Sequence, residues 1–324
     1  MNEELESLLK LTARLYHVDG LSQTEIANVI GVSRTKVSRL LTRALQEGIV
    51  RISVEEYDPR NRALEDKLKN QFNLNHAIVI KLLGETDIEN VRSTVGYLAA
   101  PYVSEWIYPN AVVGLSGSRS LYRLIQNLKP HTGSRGVTVV QLMGHIGAGV
   151  SNYDSIELCR NLADSFLGNY FILNAPAFAP DIRSRQILTA HHDVVAVWKY
   201  FSQMQIAFVG IGSLTHSSFI ERGVFDQEDV EKLRNYGVVG EMCGRFYDQL
   251  GQECAEEYQQ RVIGISLEEL REKDVVAVTC GAQRAEAIYA ALCGGLIRSL
   301  VIDEIGAEAV LALQQAAVQT NQSI

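Results

Sequence analysis

Apolar residues recur at helical spacing in two short runs between positions 22 and 46. Ser22 is followed three residues later by Glu25, a capping-box pattern, and the apolar residues after it share one helical face. Gly31 then supplies a turn conformation that residues with a Cβ resist, and a second apolar-faced run continues to about Gln46, before Gly48. Two helices joined by a tight glycine turn predict a helix-turn-helix.

The segments on either side extend this prediction. An upstream helix from Glu4 to His17 would complete a three-helix core, and the alternating segment "IVRISV" predicts a short strand that makes the module winged, over residues 1–55. A charged stretch follows at 56–74. It carries Leu64, Leu68 and Phe72 at helical spacing, which predicts a linker helix that can contact a second subunit.

From residue 75 to 324, short apolar runs alternate with helical patterns. Strands of this kind, buried on both faces and separated by helices, predict an α/β domain with an open, mostly parallel sheet. Ligands of such sheets bind beyond the carboxyl ends of the strands. The predicted strands are His76–Leu82, Ala111–Ser116, Gly136–Met143, Asn169–Ala175, Gln205–Gly212, Asp274–Gly281 and Ser299–Glu304.

Length and composition fit two globular domains. The 324 residues are 47% hydrophobic, yet no apolar run reaches the length of a membrane span, and the acidic, amphipathic start does not read as a secretory signal. The five cysteines are scattered without a C-x-x-C pair, which favours reduced thiols. We therefore expect a cytoplasmic protein with no membrane partner.

The charge is distributed unevenly. The chain has a formal net charge of -8, but five basic residues face a single acid between Ser33 and Arg51. A basic helix on an acidic protein predicts double-stranded DNA held by one surface, against the alternative of a solvated face in an ordinary helical hairpin. Arg34, Thr35 and Lys36 could reach base edges, and Arg39 and Arg43 phosphates. The predicted DNA-binding residues are Ser33, Arg34, Thr35, Lys36, Ser38, Arg39 and Arg43.

Small and polar residues follow several predicted strands. The segment "GLSGSRS" at 114–120 ends one strand and opens a helix, so its backbone N–H groups and serines could hold an anion or hydroxyls. It matches neither a dinucleotide fingerprint nor a Walker A loop. Similar loops are "MGHIGAG", "NAPAFAPD", "GIGS" and "CGAQR". Together they predict a rim suited to a small polar ligand.

Signals for catalysis or metal binding are weaker. His191, His192 and Asp193 are adjacent in sequence, so we expect their side chains to point apart and predict no metal. The serines of 116–118 lack a G-x-S-x-G elbow. Glu241 could be a general base, but it fits equally a carboxylate that accepts sugar hydroxyls. We predict no catalytic residue and no cofactor.

Nearly the whole chain resembles the SorC family of sugar-responsive bacterial transcriptional regulators. The resemblance is carried by the helix-turn-helix from "LYHVDGLSQTEIANVIGVSRTKVSRLL" onward, followed in order by "VGLSGSRSL", "VQLMGHIGAG", "NAPAF", "AFVGIGS", "GEMCGRFYD" and "AEAIYAAL". It implies an effector-binding and oligomerisation domain related to sugar-phosphate isomerases that has lost catalysis. It also implies a homo-oligomer, dimer or tetramer, that controls a carbohydrate or polyol catabolic operon.

The resemblance also implies an effector site. Carried over position by position, its residues are Ser116, Gly117, Ser118, Arg119, Ser120, Glu241 and Arg284. The strand-end loops "MGHIGAG" and "CGAQR" add Gly144, His145 and Gln283 to the predicted site. Arg284 stands where the family usually has a lysine, and Gly117 and Ser118 where Trp-Gly is frequent. Two arginines favour a phosphorylated sugar or polyol held noncovalently. The competing hypothesis is an unphosphorylated polyol with Arg284 paired to Glu241. A sugar-phosphate isomerase with an accessory DNA-binding module is the alternative function.

Overall fold

The computed structural model describes residues 3–55, 57–84, 87–131, 133–149 and 151–322. It divides into two compact units, with the boundary between Asp58 and Pro59. None of the helices in these ranges combines the length and the apolar character needed to cross a bilayer.

The smaller unit consists of three helices, α1 (Glu3–His17), α2 (Gln23–Ile30) and α3 (Arg34–Gln46). Their apolar faces enclose a small core that includes Leu9, Ile26, Val37, Leu40 and Leu41. Ala44 completes the buried face of α3, whereas Leu45, which the spacing also places there, is 43% exposed. The three-helix arrangement predicted from the apolar spacing is therefore formed.

The turn between α2 and α3 has the features that its sequence predicts. The Ser22 hydroxyl accepts a hydrogen bond from the Glu25 N–H at 3.3 Å, and the Glu25 carboxylate accepts one from the Ser22 N–H at 2.8 Å. Gly31 ends α2 with a φ of +70°, in the left-handed region where a Cβ is strained. The reciprocal cap and the glycine together fix where α2 begins and ends.

The predicted wing is wrong for the residues that the structure describes. Ile49–Val54 forms no strand, and Ile52 and Val54 are 64% and 82% exposed. The alternating pattern has no second strand near it in sequence, and a strand without a hydrogen-bonded partner is not stable. The smaller unit is thus a helix-turn-helix without a wing strand in its described part.

The larger unit is built on a seven-stranded parallel sheet in the order β1-β9-β8-β5-β2-β3-β4, with a separate antiparallel pair, β6 and β7. All seven strands predicted from the sequence are in the sheet, each shorter than predicted by one to four residues. The strands are β1 (His76–Ile80), β2 (Val112–Leu115), β3 (Thr138–Gln141), β4 (Asn169–Phe171), β5 (Ile206–Val209), β6 (Gly240–Met242), β7 (Arg245–Tyr247), β8 (Asp274–Val278) and β9 (Ser299–Asp303).

Helices cover both faces of this sheet, so the unit has three layers. One apolar cluster includes α5, α6 and α7 with one set of alternating strand residues, and the other includes α4, α9, α14 and α15 with the opposite set. The helices are α4 (Arg62–Phe72), α5 (Ile88–Ser104), α6 (Arg119–Ile125), α7 (Ser155–Ser165), α8 (Ile182–Thr189), α9 (His192–Gln203), α10 (Ser218–Glu221), α11 (Gln227–Asn235), α12 (Glu256–Gln259), α13 (Leu267–Arg271), α14 (Ala285–Cys293) and α15 (Glu304–Gln322), with a 3-10 turn at Ala282–Arg284.

Helix α4 corrects the prediction of a linker that contacts a second subunit. Leu64 and Leu68 are 8% and 0% exposed within the larger unit, where Phe72 packs against the same cluster. The helix also carries Glu65, whose carboxylate binds the Arg60 guanidinium and the Val79 N–H. Because its apolar stripe is already covered by the sheet, the stripe is not available to a partner.

The strand order creates a crevice at one point of the sheet. From β2 the chain proceeds outward through β3 and β4, and it then returns to β5, on the other side of β2, before continuing through β8 and β9. The connections leaving β2 and β5 therefore diverge, and open parallel sheets bind ligands in the crevice at such a switch point.

Candidate DNA-binding surface and effector cleft

The first turns of α3 present an exposed cationic surface. All seven residues predicted to bind DNA are exposed, while the opposite face of α3 is buried. The Ser33 hydroxyl accepts a hydrogen bond from the Lys36 N–H at 3.2 Å and so caps the helix. Arg34, Lys36 and Arg39 make no ion pair with any other residue that the structure describes. Their charges are thus accessible to an anionic partner.

Arg43 differs from these three cations. Its Nε lies 2.7 Å from Oε1 of Glu47, one helical turn later. An exposed pair of this kind is worth less than about 1 kcal/mol, so a DNA phosphate can replace the carboxylate. Arg43 stays a predicted phosphate contact, but a weaker one than Arg39.

In the larger unit, a cleft opens at the switch point of the sheet. It is lined by the segments that follow β2, β3, β5 and β8, together with residues of α5, α10 and the β6–β7 hairpin. The loops after β2 and β5 approach so closely that a Cβ added to Gly210 would lie 2.6 Å from the Ser118 Cβ. The absence of a side chain at Gly210 therefore lets these two loops meet.

Serine side chains of the loop after β2 hold that loop in place. The Ser116 hydroxyl accepts a hydrogen bond from the Gly210 N–H at 3.1 Å, which ties the β2 and β5 loops together. The Ser118 hydroxyl caps α6 by accepting from the Leu121 N–H at 3.0 Å. No described group accepts a hydrogen bond from the N–H of Gly117 or of Ser118. The cleft is lined by all five residues predicted from this loop, which are Ser116, Gly117, Ser118, Arg119 and Ser120. That they bind an effector stays a prediction.

Three arginines line the same cleft. Arg119 forms two hydrogen bonds with the Glu221 carboxylate, of 2.6 and 3.3 Å, and Arg92 pairs with Glu89. Burial and the nearby Arg92 charge lower the pKa of Arg284. Among the described residues, Arg284 has no ion-pair or hydrogen-bond partner. The Arg284 guanidinium thus faces the cleft without a direct partner, although the Glu221 and Glu241 carboxylates also line it.

Glu241 also lines the cleft, from β6 of the β6–β7 hairpin. Backbone hydrogen bonds of 2.9 and 3.0 Å join Gly212 and Glu241, and a Cβ at Gly212 would lie 2.6 Å from the carboxylate. The carboxylate accepts a hydrogen bond from the Gly244 N–H at 3.0 Å. Burial raises the pKa of Glu241, although Gly244 and Arg284 partly oppose this. Arg284 and Glu241 do not form the ion pair of the competing hypothesis.

Three of the residues predicted for the effector site do not line this cleft. Gly144 is pressed against the chain at 175–176, where a Cβ would lie 2.4 Å from the Ala175 carbonyl oxygen. His145 is exposed and lines a neighbouring pocket together with Arg222. Gln283 is exposed and does not line the cleft, although the adjacent Arg284 does. Adjacent residues of a loop or turn face different directions, which the sequence motif does not resolve.

The structure adds residues that the sequence did not indicate. Arg92 comes from α5, Glu221 from α10, and Tyr153 from the loop before α7. The centroid of the Tyr153 ring lies 5.2 Å from the guanidinium of Arg119 and 5.5 Å from that of Arg222. The hydrogen bond from Arg119 lowers the pKa of Tyr153. None of these residues belongs to a glycine-rich segment after a strand, and only segments of that kind predict the site from the sequence.

The His191, His192 and Asp193 cluster departs from its prediction. We expected the three side chains to point apart, but one potential ligand atom from each lies within 4.8 Å of the others. His192 Nε2 is 2.9 Å from an Asp193 carboxylate oxygen, and all three residues are exposed. The turn that begins α9 brings them together. That the chain binds no metal stays a prediction.

Comparisons with known proteins agree with this architecture. The family model described as "Putative sugar-binding domain" matches residues 59–312, and that of sigma-70 region 4 matches residues 10–47. The deoxyribonucleoside regulator of Bacillus subtilis is 29% identical over 96% of this chain and 99% of its own length. The sorbitol operon regulator of Klebsiella pneumoniae is 28% identical over 96% and 99% of the two chains. The crystal structure of that full-length regulator, SorC, covers 94% of this chain and 98% of its own with a TM-score of 0.75.

The two units therefore define a DNA-binding transcriptional regulator that carries a sugar-binding domain. The chain belongs to the SorC family of such regulators.

Proposed function

We propose that this regulator controls a carbohydrate or polyol catabolic operon, and that a phosphorylated sugar or polyol, bound noncovalently in the cleft, sets its affinity for operator DNA. It would act in the cytoplasm, where bacterial operators lie, as a homo-oligomer. The relatives named for sorbitol and deoxyribonucleoside regulation support the sugar or polyol class. The proposal that the ligand is phosphorylated rests on one observation. The Arg284 guanidinium has no direct partner, and it lines a cleft that also contains Arg119.

An anionic ligand fits the cleft better than a neutral one. A half-buried arginine without a partner is costly, and an oxyanion that accepts its N–H groups removes that cost. The N–H groups of Gly117 and Ser118 can add hydrogen bonds to the same anion. Glu241, which also lines the cleft, can accept hydrogen bonds from hydroxyl groups of the ligand.

The same residues argue for binding without turnover. Isomerisation of a sugar phosphate needs an acid and a base at the substrate, and Glu241 is the only carboxylate among the described lining residues besides Glu221, which pairs with Arg119. Burial raises the pKa of the Cys243 thiol, which keeps it protonated and poorly nucleophilic. Arg284 cannot form a Schiff base as a neutral lysine can. The relatives named above are regulators, which does not favour the isomerase alternative.

Thermal-shift titration with matched pairs of a polyol and its monophosphate tests the effector class. We expect the monophosphate to raise the melting temperature more than the free polyol does. Arg284→Gln should abolish the difference, and Arg284→Lys, which keeps the charge, should retain part of it. Stabilisation by the free polyol and not by its phosphate would overturn the proposal, and an adduct trapped by borohydride would overturn noncovalent binding.

Operator binding at several salt concentrations tests the DNA-binding surface. Arg39→Gln should reduce the slope of log K against log salt by about 0.9, because the phosphate contact predicted for Arg39 is lost. Arg34→Ala should instead weaken the discrimination between bases at one position of the operator. The free-energy difference between the right and a wrong base should fall by roughly 1–3 kcal/mol if the guanidinium pairs with a guanine. Lys10→Gln, on the exposed side of α1, is the matched control and should change neither quantity. Intact sequence discrimination by Arg34→Ala would show that the groove assignment is wrong.

A further inference from the structure

Within the cleft, the Arg119 guanidinium is bound to a carboxylate of the protein itself. Glu221, at the end of α10, faces it through two N–H···O contacts, of which the shorter is 2.6 Å. Both side chains are about one-third exposed, at 35% and 38%, so the pair lies at the open side of the cleft. The pair is therefore within reach of a ligand and of solvent.

The residue after Glu221 ties α10 to the loop that follows β3. The Arg222 guanidinium donates hydrogen bonds to the Ile146 carbonyl at 2.9 Å and to the Ser151 hydroxyl at 2.8 Å, and it also contacts the Asp154 carboxylate. These groups are mostly buried, with Arg222 and Asp154 only 16% and 17% exposed. Because Glu221 and Arg222 are adjacent, a movement of Glu221 also acts on the contact that Arg222 makes between α10 and this loop.

Ligand charge decides what happens to the Arg119–Glu221 pair. A neutral ligand can leave the pair intact, because it does not need the Arg119 charge. A phosphate placed against Arg119 would lie beside the Glu221 carboxylate, and two anions at one cation repel each other. An anionic ligand must therefore compete with Glu221.

We infer that Glu221 is the internal counter-ion of the effector cleft, and that the anionic group of the effector displaces it from Arg119. Displacement frees α10 from α6, while Arg222 still links α10 to the loop after β3. Glu221 therefore couples the charge of the ligand to the position of α10. The inference rests on the proposed phosphorylated effector.

Binding of inorganic phosphate at constant ionic strength, measured by calorimetry, tests this role. Glu221→Gln removes the competing charge with little change of shape, so it should bind phosphate about two- to fivefold more tightly than the parent, as expected from the strength of an exposed ion pair. Glu231→Gln is the matched control: it makes the same change of charge at an exposed position of α11, outside the cleft, and should leave the affinity unchanged. Equal melting temperatures without phosphate establish that the variants fold alike.

The outcomes separate this inference from the proposed function. The counter-ion role is supported if Glu221→Gln binds phosphate more tightly than the parent and Glu231→Gln does not. This holds also if Glu221→Gln binds measurably and the parent binds too weakly to measure. Equal or weaker binding by Glu221→Gln overturns that role and leaves the phosphorylated effector standing. An equal gain of phosphate affinity in Glu231→Gln also overturns the counter-ion role, since the change in the net charge of the protein would then explain the gain. Failure of every variant to bind phosphate overturns both the role and the phosphorylated effector.

Discussion

At the scale of single residues, the ionised Glu241 carboxylate lowers the stability of the protein but favours ligand binding. Its carboxylate accepts one hydrogen bond, from the Gly244 N–H, and burial raises its pKa. Removing water from a carboxylate disfavours the charged form, so ionised Glu241 costs free energy in the ligand-free protein. Hydroxyl groups of a ligand would replace the missing water, which explains why such a residue suits a binding cleft.

Glu241→Gln should therefore stabilise the ligand-free protein near neutral pH. A raised folded-state pKa means that the contribution of Glu241 to stability is complete below its unfolded pKa, about 4.3, and is lost as the pH rises through the folded value. The gain at pH 7 should equal the free energy that the parent spends on keeping the buried carboxylate ionised. Urea unfolding of parent and variant across the acidic range measures it.

The pH dependence of this gain supplies the control. The difference between parent and Glu241→Gln should disappear at pH values below the ordinary pKa of glutamate, where both side chains are neutral. Glu231→Gln, which has no cleft environment, should show no such trend. A difference that persists unchanged in acid would mean that packing, not ionisation, causes it.

At the scale of elements, the start of α2 depends on a reciprocal cap. The Ser22 hydroxyl and the Glu25 carboxylate each satisfy a backbone N–H at the helix start. Ser22→Ala should reduce the free energy of unfolding of the smaller unit by about 0.5–2 kcal/mol. Circular dichroism during urea unfolding measures the loss, and Thr24→Ala, an exposed change within the same helix, should not reproduce it. Operator base preference should be unaltered, because Ser22 lies outside the predicted contacts.

The helix at Arg62–Phe72 offers a test of its reassignment to the larger unit. Leu68 is fully buried there, and Leu→Ala changes at such sites cost about 2–5 kcal/mol. Leu68→Ala should lower the melting temperature of the larger unit by the same amount at every protein concentration. Leu250→Ala, at a 68% exposed position, should have little effect. A loss of stability that vanishes at high concentration would instead indicate a subunit contact.

Elements with strong periodic patterns were predictable from the sequence, and short ones were not. All seven strands of the sheet lie in predominantly apolar segments of the sequence. Strands β6 and β7 lie in no such segment, and they are joined by a turn at Cys243 and Gly244 with φ of +52° and +77°. The alternating segment 49–54 is the opposite case, since it predicts a strand that the structure does not contain. Alternation describes a side-chain pattern, but a strand also needs a partner, and none is near in sequence.

The same distinction applies to the cleft. Loops that directly follow strands were predictable as lining, because the carboxyl ends of parallel strands meet at one edge. Arg92, Tyr153 and Glu221 reach the cleft from α5, a loop and α10, whose orientations depend on packing with distant parts of the chain. The ion pair between Arg119 and Glu221 joins residues 102 positions apart, and no local pattern encodes it.

At the scale of the whole molecule, the helix-turn-helix limits how specifically one chain can act. One recognition helix contacts only a few base pairs, and mismatches at each cost roughly 1–3 kcal/mol, so a single module discriminates weakly among genomic sites. Useful specificity requires at least two modules on a pseudo-palindromic operator. The buried stripe of α4 is not the surface that joins them, since Leu64 and Leu68 lie in the core of their own unit.

We therefore expect the protein to bind its operator as a dimer or tetramer. The two half-sites should lie about 10–10.5 base pairs apart, or a multiple of that spacing, so that both recognition helices meet the same side of the duplex. Sedimentation velocity with and without operator DNA measures the assembly. Inserting half a helical turn between the half-sites should weaken binding strongly, whereas inserting a full turn should weaken it less, because only the half turn places the second site on the opposite side. A protein that stays monomeric at micromolar concentration on intact operator DNA would contradict this expectation.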